Sequence, residues 1–168
     1  MHTHQQKITS HAFFSPGDDC LNAIIACLDN AEESVKICVF TISDNRISDA
    51  IVRAHKRGIA IKIMTDNHKL HDAGSDIKEL AARGLEVRID KTRNHMHHKF
   101  AIFDEEQVLT GSYNWTRSAA LYNHENILIT DNHSIVKDFS DEFNRLWQDM
   151  MKYNPGGKSR EELWELGE

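Results

Sequence analysis

Apolar residues recur along the chain with two different spacings, which predict helices interleaved with strands. Nearly continuous apolar runs at Val35–Ile42 and Ile59–Met64 are typical of buried strands. Segments with helical spacing of apolar residues lie before, between and after these runs, at Leu21–Leu28, Ile47–Ala54 and Ile77–Ala81. Ser43 or Asp44 is expected to cap the second of these helices, and Ser75 the third.

The second half of the chain has shorter strands and one long helix. Lys99–Phe103 and Gln107–Thr110 predict a hairpin joined by an acidic turn. A short helix is expected after Asn114, a strand at Glu125–Ile129, and an amphipathic helix over Ser134–Met151. Crossovers in the first half and a hairpin in the second predict an α/β fold. We expect a mixed central β-sheet sandwiched by helices.

Chain length and composition predict one domain. The 168 residues divide into an N-terminal polar tail (1–10), the domain (11–153) and a C-terminal tail (154–168). Three cysteines without a CxxC pair favour a reducing compartment over a disulfide framework. No run is apolar and long enough for a signal peptide or an integral membrane segment, so the expected location is cytoplasmic.

Charge is unevenly distributed. The chain carries a formal charge of −6, but residues 46–99 hold 12 basic and 7 acidic side chains, a local excess of +5. A basic segment in an acidic protein fits an anionic substrate bound at one face. The alternative is a solvated helix surface without a ligand, which charge alone does not exclude.

The basic segment runs into a group of residues suited to phosphate chemistry. Side chains alternate along a strand, so His97 and Lys99 are expected on one face and His98 on the other. The adjoining strand ends in Gly111-Ser112, where a small-residue turn would let a phosphate approach backbone amides. With Asn114 as a further donor, an imidazole, a cation and neutral donors converge. A phosphodiester needs this combination for charge neutralisation and for attack or protonation.

A metal cluster is the competing explanation for the histidines at 95, 97 and 98. Cysteine is absent from this neighbourhood, and the spacing does not match a ligand pattern such as HExxH. We therefore expect no metal and no other cofactor.

The full spacing, HxK-x4-D-x6-GSxN, resembles the HKD motif of the phospholipase D superfamily. Every position is filled, by His97, Lys99, Asp104, Gly111, Ser112 and Asn114. The similarity extends to FSPGDDCL, MHHKFAIFD, GSYNWT and NHENILI. These segments are similar to the single-motif branch that contains mitochondrial cardiolipin hydrolase (Zucchini) and small bacterial endonucleases. The chain departs from the mitochondrial enzymes because it shows neither their N-terminal anchor nor their zinc-binding insert.

The resemblance implies a phospholipase D/nuclease-like fold, with 11–153 as the phospholipase D-like catalytic domain. It also implies a mechanism and a homodimer. One His97 would attack phosphorus and form a phosphohistidine, and the second His97 of a twofold dimer would protonate the leaving oxygen. Lys99, Ser112 and Asn114 would bind the phosphate. Glu125 resembles the carboxylate that orients the imidazole, and Asp104 is expected to support the catalytic group through contacts behind it.

Three functions are compatible with this motif. The basic segment and the missing anchor favour a metal-independent endonuclease on single-stranded DNA or RNA. The alternative is a phospholipase D or cardiolipin hydrolase acting on phospholipid, for which Leu163, Trp164 and Leu166 are a small candidate membrane contact. A catalytically inactive scaffold is the third, and the intact motif argues against it.

Overall fold

The centre of the molecule is a β-sheet. The computed structural model describes residues 7–69 and 72–156. Its strands are β1 (Ser10–Phe14), β2 (Ser34–Val39), β3 (Ala60–Thr65), β4 (Glu86–Ile89), β5 (Lys99–Phe103), β6 (Gln107–Gly111), β7 (Asn126–Thr130) and β8 (Met151–Lys152). They form one sheet in the order β1-β7-β6-β5-β2-β3-β4-β8. β2, β3 and β4 are parallel and the other pairs antiparallel, which confirms the predicted mixed sheet.

Helices cover both faces of this sheet. They are α1 (Asp19–Asn30), α2 (Asn45–Lys56), α3 (Ile77–Ala82), α4 (Arg117–Leu121) and α5 (His133–Asp149). The apolar residues of α1 to α4 pack in one core cluster, and those of α5 pack in a second cluster. The sandwich predicted from the sequence is therefore confirmed.

Alternation along β5 distributes its side chains between the two clusters. Ala101 and Phe103 belong to the cluster under α1 to α4, while Phe100 and Ile102 belong to the cluster under α5. Both faces of β5 are thus buried, as expected for a central strand. This packing also fixes the face of the sheet on which each polar side chain just before β5 lies.

Several element boundaries differ from the predictions. Asp44 caps α2 by accepting a hydrogen bond from the Arg46 amide, one of the two expected alternatives. Asp76 rather than Ser75 precedes α3, and the Asp76 carboxylate accepts a 2.7 Å hydrogen bond from the Ser48 hydroxyl. The short helix expected after Asn114 begins at Arg117, because the Thr116 side chain caps it through the Ala119 amide.

The two ends of the sheet were not predicted in detail. The expected helix over Ser134–Met151 ends at Asp149, and the chain then pairs with β4 as the short strand β8. β1 starts at Ser10, inside the segment expected to be a tail. The predictions for 1–6 and for 157–168, including Leu163, Trp164 and Leu166, lie outside the described residues. Within the described ranges, no helix is both long and apolar enough to span a bilayer.

Candidate active site

His97 and Lys99 meet at the start of β5. The Lys99 Nζ atom lies 3.0 Å from His97 Nδ1 and donates a 2.7 Å hydrogen bond to the His97 carbonyl oxygen. His98 turns the other way, and its ring lies 5.4 Å from that of Phe100 in the cluster under α5. The structure therefore has the side-chain alternation that the sequence predicts.

Phe40 supports this pair, and its role was not predicted. Its ring centroid lies 4.5 Å from that of His97 and 5.4 Å from Lys99 Nζ. Lys69 Nζ lies 5.3 Å from the same ring, and the His95 ring packs edge-on at 5.4 Å. Phe40 directly follows β2, whose last residue pairs with Lys99, so only the neighbouring positions of β2 and β5 bring it here.

The surroundings favour the neutral form of His97. Partial burial, the Lys99 cation and the His95 ring lower the pKa of His97 below its ordinary value. Burial also lowers the pKa of Lys99, against the opposing effect of the Glu125 charge. A neutral imidazole has a lone pair for attack on phosphorus, so this environment suits a nucleophile.

Asp66 holds the segment that leads into His97. This carboxylate is fully buried and accepts hydrogen bonds from the Met96 and His68 amides, both at 2.9 Å. Its Oδ2 atom also lies 3.3 Å from His95 Nδ1. Sequence analysis missed Asp66, although a carboxylate directly after a buried parallel strand is a recognisable signal for a site.

Gly111 and Ser112 are used differently from the prediction. The Ser112 amide, expected to face a phosphate, donates to the Asn126 carbonyl at 3.0 Å, and the Ser112 hydroxyl accepts from the Asn126 amide at 3.1 Å. A Cβ atom on Gly111 would lie 2.0 Å from the Asn126 carbonyl oxygen. Glycine is thus required by the close approach of β7, and the helix that follows begins only at Arg117.

A hydrogen bond to its side-chain oxygen holds Asn114 in place. Its Oδ1 atom accepts a 3.2 Å hydrogen bond from the Thr41 amide, and the Trp115 amide donates to the Thr41 carbonyl at 3.1 Å. This link joins the segment after β6 to the segment after β2, close to Phe40. Because Oδ1 is held, the amide NH2 is the end available to a phosphoryl oxygen.

Glu125 lies near Lys99. Its backbone is paired with Ser15, and its charge acts on Lys99 and on the buried thiol of Cys20. No hydrogen bond between the Glu125 carboxylate and His97 occurs in the described part of the chain. Within one subunit, His97 Nδ1 contacts Lys99 instead.

Asp104 is not brought to this group. It lies five positions beyond Lys99, about 17 Å along an extended strand. Its carboxylate accepts backbone hydrogen bonds of 2.7–3.2 Å from Glu32, Glu33 and Ser34. Burial raises the pKa of Asp104, but these amides outweigh it and hold that pKa below its ordinary value. Asp104 fixes the β5–β6 turn to the start of β2.

The described histidines do not assemble with other ligands around one point. Among residues 7–69 and 72–156, no three His, Cys, Asp or Glu side chains are arranged to hold a metal ion. The His95 and His97 ring centroids are 6.4 Å apart, and His98 faces the opposite side of the strand.

Known proteins resemble this chain over most of its length. Residues 24–147 match the family described as "Cardiolipin synthase, PLD-like domain". Mitochondrial cardiolipin hydrolase from Xenopus tropicalis is 43% identical over 138 residues, which cover 82% of this chain and 64% of that protein. Its counterpart from Chlamydomonas reinhardtii is 40% identical over 142 residues, 84% of this chain and 63% of that protein. This chain thus spans a little under two thirds of these relatives.

A solved structure shares the fold. Nuc from Salmonella typhimurium, a phospholipase D family member, superposes with a TM-score of 0.83 at 25% identity, covering 88% of this chain and 99% of Nuc. The relatives also correct one expectation. Both cardiolipin hydrolases are named as mitochondrial, which contradicts the cytoplasmic location predicted from the sequence.

Proposed function

This chain belongs to the phospholipase D superfamily, and we propose that it hydrolyses phosphodiesters with His97 as nucleophile. The observation that carries the proposal is the contact between His97 and Lys99, held over Phe40 beside the oriented Asn114. A neutral imidazole, a cation and an amide donor meet there. In this proposal the Ser112 hydroxyl accepts from the Asn126 amide and donates its own hydrogen to a phosphoryl oxygen. Asp104 has a structural role, because it holds the β5–β6 turn to the start of β2.

Substrate binding would rearrange Lys99. An ammonium group is only a donor, so in its contact with Lys99 the His97 Nδ1 atom accepts, and the hydrogen of the neutral ring lies on Nε2. Attack through Nε2 requires that nitrogen to be unprotonated. A phosphoryl oxygen that draws Lys99 away frees Nδ1 to carry the hydrogen, and a carboxylate such as Glu125 then stabilises that tautomer.

The reaction has two displacement steps. In the first, Nε2 forms a bond to phosphorus while the bond to the leaving oxygen breaks, and the partner's His97 gives that oxygen its proton. In the second, the same partner imidazole takes a proton from water, whose oxygen attacks phosphorus while the P–N bond breaks. The products are an alcohol and a phosphomonoester. Lys99 and Asn114 stabilise the phosphoryl oxygens throughout.

A lipid phosphodiester of the cardiolipin type is the substrate that we propose first. The support is the name shared by relatives with 40% and 43% identity, together with the matched cardiolipin synthase domain. This order reverses the sequence-based expectation, in which the basic segment and the missing anchor favoured nucleic acid.

Single-stranded nucleic acid is the second candidate, supported by the charge around Phe40. Lys69 lies on that ring, and the exposed His68 and His95 rings are 5.2 Å apart beside it. A strand crossing His97 would place its next phosphate near these groups. Such backbone contacts bind polynucleotides without sequence preference and weaken as salt rises.

One assay tests the activity and the order of substrates. The purified chain is given bis(p-nitrophenyl) phosphate, cardiolipin in vesicles, and labelled single-stranded DNA and RNA, each with and without EDTA. We expect turnover of the small diester and of cardiolipin, a lower rate on nucleic acid, and no loss in EDTA. His97→Asn is the control for contaminating activity.

Each result has a separate meaning. No turnover of any substrate by a folded dimer would refute the hydrolase. Loss of activity in EDTA with recovery on adding Mg²⁺ or Zn²⁺ would refute the metal-independent mechanism. Faster cleavage of nucleic acid than of cardiolipin, with steep salt dependence, would reverse the order of substrates.

A further inference from the structure

A cavity opens beside His97 on the α5 side of the sheet. Its volume is about 630 Å³, within the ~300–1,000 Å³ range of ligand pockets. It lies between the last turn of α5 and the segment from β4 to β5, and it is lined by Asp90, Lys91, Thr92, His95, Met96, His97, His98, Leu146, Asp149 and Met150. Because His97 is part of the lining, a group in this cavity would belong to the molecule whose phosphate meets His97.

The surface inside the cavity is mostly apolar. Met96 is buried in the cluster under α5, and Leu146 and Met150 pack against that cluster. Methionine side chains are unbranched and adapt to the shape of a flexible apolar ligand. These three residues form an apolar wall that reaches from the core to the edge of the site.

The rest of the lining is polar. It contains the exposed Lys91, Thr92 and Asp149 together with His95, His97 and His98. Asp90 is buried, and its Oδ1 atom accepts a 2.9 Å hydrogen bond from the Asn67 amide. This carboxylate therefore serves to hold the loop before His97.

The mostly apolar surface of the cavity matches a lipid better than a nucleotide. A phospholipid has an anionic phosphodiester joined to hydrocarbon, and the cavity has an apolar wall together with His97, Lys91 and the carboxyl groups of Asp90 and Asp149. A nucleobase would need fixed donors and acceptors along its edges. Leu146, Met150 and Met96 offer none.

We infer that this cavity binds the hydrocarbon part of a lipid phosphodiester whose phosphate lies at His97. The inference rests on the proposed hydrolase function and gives it a source of substrate selection. Chain-length selectivity would then come from Met96, Leu146 and Met150, residues outside the HKD motif.

The test uses alkyl p-nitrophenyl phosphates with methyl, butyl, hexyl and octyl groups, below the concentrations at which they form micelles. We expect kcat/KM to rise with chain length, by up to about fourfold per methylene, which corresponds to about 0.8 kcal/mol per buried CH2. Met150→Trp, which fills the cavity, should remove this rise. Gln148→Trp adds the same ring on the exposed side of α5 and should keep the rise.

Further measurements distinguish failure of the hydrocarbon site from failure of the proposed hydrolase function. Hydrolysis of the methyl ester without any dependence on chain length would overturn the hydrocarbon site while the hydrolase remains. A gain for thymidine 5′-p-nitrophenyl phosphate, lost in Met150→Trp and absent for alkyl chains, would show a nucleoside site instead. If no ester is cleaved, calorimetric titration of His97→Asn with hexyl phosphate and with methyl phosphate tests the hydrocarbon site without catalysis. Tighter binding of hexyl phosphate, abolished by Met150→Trp, supports the site, and equal binding overturns it.

Discussion

At the scale of single residues, the Lys99 cation is one cause of the lowered pKa of His97. Burial and His95 contribute as well, so replacing Lys99 with the uncharged Met should raise the pKa of His97 without restoring it fully. NMR titration of the His97 ring, assigned with His97→Asn, measures this change. Lys91→Met is the matched control and should leave the pKa unchanged. A pKa of His97 that stays constant or falls in Lys99→Met would contradict the electrostatic explanation.

The two neighbouring histidines should differ sharply in activity. His97 contacts Lys99, whereas His98 packs beside Phe100 on the opposite side of the strand. His97→Asn should therefore lower kcat on bis(p-nitrophenyl) phosphate by at least about a thousandfold. His98→Asn should lower it by less than about tenfold, since His98 has no part in bond making. The larger loss in His98→Asn would show that the nucleophile has been misassigned.

At the scale of secondary-structure elements, the junction of β6 and β7 depends on one glycine. A Cβ atom on Gly111 would lie 2.0 Å from a backbone oxygen of Asn126, so Gly111→Ala must separate the two strands. We expect a loss of at least about 3 kcal/mol in the free energy of unfolding, measured with urea. Gly74→Ala is the control: it has φ +91° but open space around it, and should cost about 1–2 kcal/mol. Equal losses in the two variants would argue against the close approach.

Strand adjacency also explains how distant segments build the site. Phe40 follows β2, His97 precedes β5, and Asn114 follows β6. The order β6-β5-β2 in the sheet brings these three ends to one place. Thr41 and Asn114 are then joined directly by a hydrogen bond. A displacement of β2 relative to β5 would separate Phe40 from His97 without changing either residue.

At the scale of the whole molecule, the proposed mechanism requires two chains. Each chain contributes one His97, while the reaction uses one imidazole as nucleophile and another as acid. We expect a dimer in sedimentation experiments, and mixing with inactive His97→Asn should reduce activity as the square of the wild-type fraction. After subunit exchange of equal amounts, about a quarter of the dimers would be wild-type homodimers. Activity proportional to the wild-type fraction, or an active monomer, would contradict the shared site.

Much of the fold could be predicted because burial repeats with the period of each element. The runs at Val35–Ile42 and Ile59–Met64 include all but one residue of β2 and of β3, and the apolar spacing after Ser134 predicts all but the ends of α5. The ends of the elements were less predictable where helix capping competes with strand pairing. The chain leaves α5 at Met150 because extended backbone there can pair with the edge strand β4, a partner distant in sequence.

The sequence by itself determined the reactive pair. His97 and Lys99 are two positions apart at the start of a strand, so local geometry is enough to place them together. Tertiary structure alone decided what surrounds them: Phe40 beneath His97, Asp66 behind the preceding segment, and the Asn126 carbonyl that requires glycine at 111. It also placed Asp104 at the far end of β5, despite its fixed position in the motif. The physical reason is that local spacing fixes the direction of neighbouring side chains, whereas contacts between segments depend on strand order and on packing across the sheet.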